Sequence, residues 1–365
     1  MTTPNKMIFE SDFLSRPKYN SKILETYGFN LLTQVGLEEE KARVVAKTLI
    51  EGDLLGHDTH GLALLAPYMK ELESGSMNKS GTYEIINKMP ATQVWDGKRL
   101  PGPWLIFTAM DELFQLAKTY GVASISIRKS HHIACLAVYL RHAAENGFLM
   151  LLASSDAQSA SVAPYGGTKA VFTPNPIAMG FPCSSGSVLI DISASITTNG
   201  MTGRKANAKE VFDENWLIDA NGDLTNDPSV LSQNPPGTIL PIGGTTYGHK
   251  GYGLALMVEA LTGGLAGFGR ADPKQGWGAT AHITLYDPEA FGSNIDFLRQ
   301  MDEVAKQCIE NPPRSGISSV RLPGHQGLKK REFQLLNGVR LHPTIKSLLE
   351  SYSNKFQIPF PESFS

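Results

Sequence analysis

Between residues 104 and 155 the hydrophobic period of the chain changes repeatedly, and this constrains the fold more than any other feature. "PWLIFTAMDELFQLAKTYG" repeats its apolar residues at helical spacing and stops at Gly121. "VASISIR" alternates as a strand does and runs out at "KSHH". "IACLAVYLRHAAENG" is helical again and is closed by Gly147, and "FLMLLASS" has the length and apolarity of a buried strand. "VLIDIS" and "AHITLYD" read as two further strands. "GYGLALMVEALTGGLAGFG" is a helix apolar on nearly every side, which predicts central burial. Strands mixed with helices, without regular βαβ spacing, predict a mixed α+β (α/β) domain flanked by helices from both chain ends. No GxGxxG follows a strand. "GGLAGFG" follows an apolar helix instead, so a Rossmann crossover is not indicated, and neither GxxxxGK[ST] nor GxSxG occurs.

Outside this region the patterns are mostly helical. Residues 20–55 read as helix, with "LEEEKARVVAKTLIEGDLLG" placing Val44, Val45, Thr48 and Leu49 on one stripe and Gly56 beyond its end. A second helix begins near Gly61 and carries Leu65, Tyr68, Met69 and Leu72. Residues 73–103, rich in Gly, Pro, Ser and Asn, read as loops around short strands. The tail "LNGVRLHPTIKSLLESYSNKF" reads as an exposed amphipathic helix.

Composition narrows the function classes. A chain of 365 residues, 41% hydrophobic, can bury a large core and is long enough for about two domains. Its 33 basic and 35 acidic residues leave a net charge of −2, so no basic footprint for nucleic acid or anionic lipid is present. No apolar run approaches the roughly 20 residues that span a bilayer. The first residues lack the basic start and apolar core of a secretory signal. Cys135, Cys183 and Cys308 are far apart and form no CxxC pair, which fits reduced thiols and makes a thiolate zinc site improbable. These features predict a cytoplasmic globular protein with no membrane or nucleic-acid partner.

Three clusters carry candidate chemistry. "GHDTHGLALLAPY" packs His57, Asp58 and His60 into one turn, which could hold a metal, handle protons, or serve as a helix entry capped by Asp58 or Thr59. His131 and His132 fall between a strand and a helix, where α/β enzymes place reactive groups, and imidazole exchanges protons near neutral pH. Adjacent residues of an extended chain point oppositely, so only one of the pair is expected to face a site. Lys250 is expected in the first turn of a buried helix, where an ammonium and the helix dipole can meet an anion. The loop "APYGGTKAVFTPNPIAMGFP" and the end of "VLIDISASITTNG" have small side chains that let backbone amides approach a phosphate.

Taken in order, "GHDTHG", "SHHI", "APYGG", "NPIA", "LIDISAS", "GHKGYGLAL" and "LPGHQ" resemble the malate/L-lactate dehydrogenase family. This is the non-Rossmann type that includes ureidoglycolate, sulfolactate and 2,3-diketogulonate enzymes and piperideine-carboxylate reductases. Each motif is modest alone, but the ordered set is specific and spans nearly the whole chain. The resemblance implies a homodimer that binds NAD or NADP, NAD being favoured, on a largely antiparallel sheet. It implies a discontinuous helical domain, residues 1–80 with 315–365, and a cofactor-binding domain, residues 81–314. His132 is then the acid/base, and His60 the partner that orients substrate and nicotinamide, with the two roles exchangeable. No metal is implied. Cofactor contacts are implied for His60, for Ala134, Cys135 and Leu136 at a helix start, and for a loop of Leu189, Ile190, Asp191, Ile192 and Ser193. They are implied also for Lys250 and for Gly324, His325 and Gln326, a C-terminal loop closing over the dinucleotide.

Two departures from the family pattern bear on specificity. Many members carry an arginine four residues after the first histidine, and here that position is Leu64. A bidentate arginine is among the stronger carboxylate clamps. Its absence predicts a pocket, assigned to Leu64 and Tyr68, that favours 2-oxo acids with one carboxylate and an apolar tail. The apolar residue, with "GHDTHG" and "SHHI", is nearest in pattern to the hydroxycarboxylate dehydrogenases of the family. Malate/lactate or cyclic-imine reduction is the alternative within the family. The other departure is "FTPNPIA", where the usual pattern has Gly-Thr before Asn-Pro. A rival from another class, a metal-dependent hydrolase, would use His57, Asp58, His60 and His132. A non-catalytic relative would bind dinucleotide without turnover.

Overall fold

The computed structural model describes residues 11–364. The chain forms two compact units, one from both chain ends, up to Ser74 and from Gly327, and one from Gly75–Gln326. Both boundaries fall within the expected helical segments, so the end-built unit is shorter at each boundary than residues 1–80 with 315–365.

The end-built unit opens with a short helix α1 (Ser11–Ser15) and strand β1 (Lys18–Tyr19). The stretch 20–55, expected as helix throughout, is two helices, α2 (Ser21–Gln34) and α3 (Glu39–Leu54). Asn20 starts α2 by accepting from the amides of Lys22 and Ile23. Gly36, at φ 92°, ends it in a backbone conformation that glycine adopts freely. Leu24, Leu31 and Leu32 of α2 and Val45 and Leu49 of α3 are buried. Helix α4 (Leu65–Ser74) buries the expected stripe of Leu65, Tyr68, Met69 and Leu72.

The second unit is built on a seven-stranded sheet. Its strands are β2 (Glu84–Lys88), β3 (Thr92–Asp96), β4 (Val122–Ser130), β5 (Leu149–Ser155), β6 (Pro176–Phe181), β7 (Val188–Ser193) and β11 (Ala279–Tyr286). Their order is β2-β3-β4-β11-β5-β6-β7, and every neighbouring pair is antiparallel except β3–β4. The fold is therefore mixed α/β with a largely antiparallel main sheet. In the centre Ile283 faces Ile125 on one side and Leu152 on the other, all fully buried. Helix α5 (Gly102–Tyr120) lies against β4 and β11, and α6 (Leu136–Glu145) against β5, β6 and β7. Strand β6 lies in a segment that its prolines mark as loop. Pro176 is tolerated because it is the first residue of the strand.

Beyond β7 come α7 (Asn199–Ala208), a small sheet of β8 (Leu217–Ile218), β9 (Leu224–Thr225) and β10 (Thr238–Ile239), and then α8 (Gly244–Glu259). Helix α8 continues into a π-helical turn, Ala260–Gly264. Its predicted central burial does not hold. The buried face consists of Gly248, Gly251, Ala255 and Val258, while Tyr247, Leu256 and Met257 are about half exposed. Close approach is the reason: a Cβ on Gly251 would lie 2.5 Å from the Ile242 nitrogen and 2.7 Å from the Ala194 oxygen. Small residues take the packed side, and the large apolar ones turn outward. Helix α9 (Asn294–Ile309) follows β11 and is capped by Ser293, which accepts from the Asp296 amide. Helix α10 (His325–Asn337), β12 (Val339–Arg340) paired to β1, and α11 (Thr344–Phe356) lead to the C-terminus. In the end-built unit Gln334 donates to the carbonyls of Asp53 and Leu54, closing the end of α3.

Candidate active site

The His57–His60 turn is shaped by α3, from whose end it springs. Gly56 breaks the helix at φ 85°, the His57 amide returns to the Gly52 carbonyl at 2.9 Å, and the His60 amide to His57 at 2.8 Å. The turn fits only because Gly52 and Gly61 lack side chains. A Cβ on Gly52 would lie 2.9 Å from the His60 oxygen, and one on Gly61 2.2 Å from the Asp53 carboxylate. The expected cap by Asp58 or Thr59 is not found. Asp53, buried, accepts from the Leu62 amide at 2.7 Å and so opens the 3-10 turn Leu62–Leu64. Asp58 is ion-paired with Arg16 at 2.6 Å, and the Thr59 hydroxyl lies 2.8 Å from His60 Nδ1. The hydrolase alternative thus finds Asp58 engaged by a guanidinium. Leu64 is half-buried in the 3-10 turn, whereas Tyr68, assigned to the same pocket, is wholly buried in the core of α4.

The His131–His132 segment leaves β4 through a bulge. Register slips between Ala279 and Ala281, the extra residue falls on β4, and Lys129 takes φ 50°. Asp96 holds this end of the strand, with Arg128 Nε at 3.2 Å and Lys129 Nζ at 3.4 Å. Arg99, also left-handed at φ 53°, donates its amide to the Lys129 carbonyl. The two histidine carbonyls rest on the start of α5, where a Cβ on Gly102 would lie 2.4 Å from the His132 oxygen. The neighbours differ in burial as adjacent residues should. His131 is completely buried, and burial, followed by the nearby Arg99 charge, pushes its pKa down to about 3. His132 is half-buried, and its Nδ1 accepts from the Ala134 amide at 3.3 Å.

The residues assigned to the cofactor fall at several places. Ala134, at φ 57°, and Cys135 and Leu136 bring the chain into α6, and no side chain caps that helix. Leu189 to Ser193 are not a loop but lie in β7, the edge strand of the sheet. Leu189 is buried, Ile190, Asp191 and Ser193 are half-buried, and Ile192 is exposed. Gly324, His325 and Gln326 are likewise not a closing loop, because α10 begins at His325. Gly324 sits against Leu189, where a Cβ would be 2.6 Å from the leucine Cβ, and the Leu189 amide donates to the Pro323 carbonyl. Lys250 is in the second turn of α8 rather than the first. It is exposed, with its ammonium 5.2 Å from the centre of the Tyr247 ring. This donor set fits a dinucleotide: an uncapped helix start and a lysine for phosphates, and a carboxylate at Asp191 for a ribose hydroxyl.

Trp277 and Arg99 escaped the sequence reading. The Trp277 ring centre is 4.9 Å from those of both His131 and His132, and its carbonyl accepts from Arg99 Nη2 at 3.0 Å. The only local signal is an aromatic residue between two glycines in "QGWGAT".

Comparison with known proteins identifies the family. The family model described as malate/L-lactate dehydrogenase matches residues 20–350. A malate dehydrogenase of Pyrococcus abyssi is 33% identical over 340 residues, 91% of this chain and 93% of the relative. A malate/(S)-sulfolactate dehydrogenase of Methanothermus fervidus is 29% identical over 338 residues, 90% and 95% of the two chains. The crystal structure of a malate dehydrogenase from Entamoeba histolytica superposes with a TM-score of 0.89 over 95% of this chain and all of the other, at 23% identity, a likeness of fold. The family match defines an oxidoreductase that works with NAD(P) on 2-hydroxy acids. The chain belongs to the malate/L-lactate dehydrogenase family.

Proposed function

We propose that the protein interconverts 2-oxo and 2-hydroxy acids that bear one carboxylate and an apolar tail, with NAD favoured over NADP, as a cytoplasmic homodimer. The observation that carries the substrate preference is Leu64. A half-buried leucine stands where many family members place an arginine, on the 3-10 turn that follows His60. A second carboxylate facing Leu64 would lose water without gaining a partner, which costs several kcal/mol or more.

Bound NAD(P)H supplies the hydride that reaches the substrate carbonyl carbon. His132 presents Nε2 to the oxygen on which charge develops; as the imidazolium it gives its Nε2 proton to that oxygen and is left as the neutral ring. His60, its Nδ1 2.8 Å from the Thr59 hydroxyl, orients substrate and nicotinamide, and the two roles are exchangeable. Ala134 to Leu136, Leu189 to Ser193, Lys250 and Gly324 to Gln326 hold the dinucleotide. Support for the homodimer comes from α8, whose Leu256 and Met257 leave an apolar face outward in the single chain.

Malate reduction is the rival, favoured by the printed names of the relatives from Pyrococcus abyssi and Methanothermus fervidus. NADH and NADPH oxidation against a panel of 2-oxo acids, oxaloacetate and cyclic imines decides between them. A preference for oxaloacetate over 2-oxo acids with apolar tails refutes the proposal.

A further inference from the structure

The segment between the π-helical turn and β11 takes no part in the reading above, yet its last large side chain lies on the proposed acid/base. The Trp277 and His132 ring centres are 4.9 Å apart with the planes tilted by 32°, nearer to stacked than to edge-on. His131 meets the same indole edge-on, at 4.9 Å and 75°. The backbone that carries the indole is held in turn. Arg99 donates from Nη2 to the Trp277 carbonyl and from Nε to the Ser76 carbonyl, at 3.0 and 2.6 Å. Upstream, the Gln275 amide donates to Gln158, and Arg270 is paired with Glu259 at 2.7 Å.

An imidazole turns easily about its terminal torsion, which is broad and nearly two-fold. At His132 the bond from the Ala134 amide is long, 3.3 Å, and a single bond at Nδ1 does not by itself set the plane of the ring. The plane must be set if Nε2 is to meet a substrate oxygen in line. We propose that Trp277 is a positioning residue whose indole face holds the plane of the His132 imidazole during proton transfer. The inference rests on the assignment of His132 as acid/base. His131 suits the arrangement because a buried, uncharged imidazole packs on the indole without setting a second cation beside His132.

Trp277→Leu removes the flat face and keeps apolar bulk, whereas Trp277→Phe keeps a smaller flat face. Both are made in the full chain. Misplacing a reacting group by about 1 Å costs on the order of a hundredfold, so the leucine variant should lose about 10- to 100-fold in kcat. KM for the 2-oxo acid and Kd for NADH, read by fluorescence titration, should move less than about threefold, because neither depends on proton transfer. The phenylalanine variant should recover most of the rate. A readout free of turnover is the His132 Cε1–H resonance in histidine-labelled protein, assigned by its loss in His132→Asn. Ring-current shielding by the indole should vanish in the leucine variant and diminish in the phenylalanine variant. A leucine variant with wild-type kcat, a phenylalanine variant as slow as the leucine one, or a resonance unmoved in both overturns the proposal. So does a parallel loss of NADH affinity, which would make Trp277 a cofactor contact. If the leucine variant does not fold, the phenylalanine resonance decides. Wild-type inactivity on every 2-oxo acid refutes the functional reading instead, and leaves the resonance to judge the positioning alone.

Discussion

Acidification from pH 7 to pH 5 should remove about 4 kcal/mol of unfolding free energy through two buried histidines. His131 has its pKa pushed down to about 3, by burial first and the Arg99 charge second. His282 is pushed down to about 4 by burial. In the unfolded chain both rings take up protons as pH falls through roughly 6.5, while the folded protein keeps them neutral. The unfolded state therefore binds more protons, and stability falls with pH from about 6.5 down to the folded values, below which the loss levels off. Each pH unit inside that window is worth about 1.4 kcal/mol per group, so the step from pH 7 to 5 comes to about 2 kcal/mol for each histidine. His282 shows why the folded ring resists the proton. It sits in β11, the middle strand of the sheet, with Nδ1 2.8 Å from the Ser126 hydroxyl and Nε2 3.0 Å from that of Thr284. Those hydroxyls satisfy either neutral tautomer, but a second ring proton would place an unsolvated charge inside the sheet.

Urea unfolding of wild type and His282→Gln at both pH values tests the reasoning. The variant is less stable at pH 7, since it loses a ring packed in the sheet. On passing to pH 5 it should lose about 2 kcal/mol less than wild type, because its side chain does not titrate. Equal losses in the two proteins would mean that His282 charges freely in the folded state, and the argument from burial would fail.

His132→Asn should lower kcat by roughly 10²–10⁴-fold while NADH binding stays nearly unchanged; a variant within about threefold of wild type moves the proton to His60 or elsewhere. Lys250→Ala should weaken NADH binding on the order of tenfold, more than it slows the chemical step. An unchanged Kd in a fluorescence titration would leave Lys250 as a solvent-facing residue of α8. Leu64→Arg should shift the ratio of kcat/KM toward dicarboxylic 2-oxo acids, each tenfold shift corresponding to about 1.4 kcal/mol. No shift would remove Leu64 from the substrate pocket.

Much of the architecture is legible in period alone, because burial imposes it locally. Alternation marks β4, the 3.6-residue stripe marks α5 and α4, and Gly121 and Gly147 stop their helices at φ 80° and 85°. Where the reading failed, the missing information was tertiary. Helix α8 looks central by composition, but the outcome depends on which residues can approach the backbone at Ile242 and Ala194, and only glycine can. The prolines around β6 suggest a loop unless the strand is known to begin on Pro176. The same distinction separates the parts of the candidate site. The histidines of "GHDTHG" and "SHHI" are visible because the motif and the turn occupy the same few residues. The groups that shape those turns are not. Asp53 acts from within α3 on an amide nine residues on, in competition with the nearer and equally plausible Asp58. Trp277 reaches the histidines only because β11 pairs with β4 next to the bulge at Lys129. A bulge that bends β4 turns Ser130 and His131 out of register and leaves His132 half-buried under the indole. The reactive candidate is thus placed by a defect in pairing that is defined only against the partner strand β11, and a motif search along one segment has no access to it.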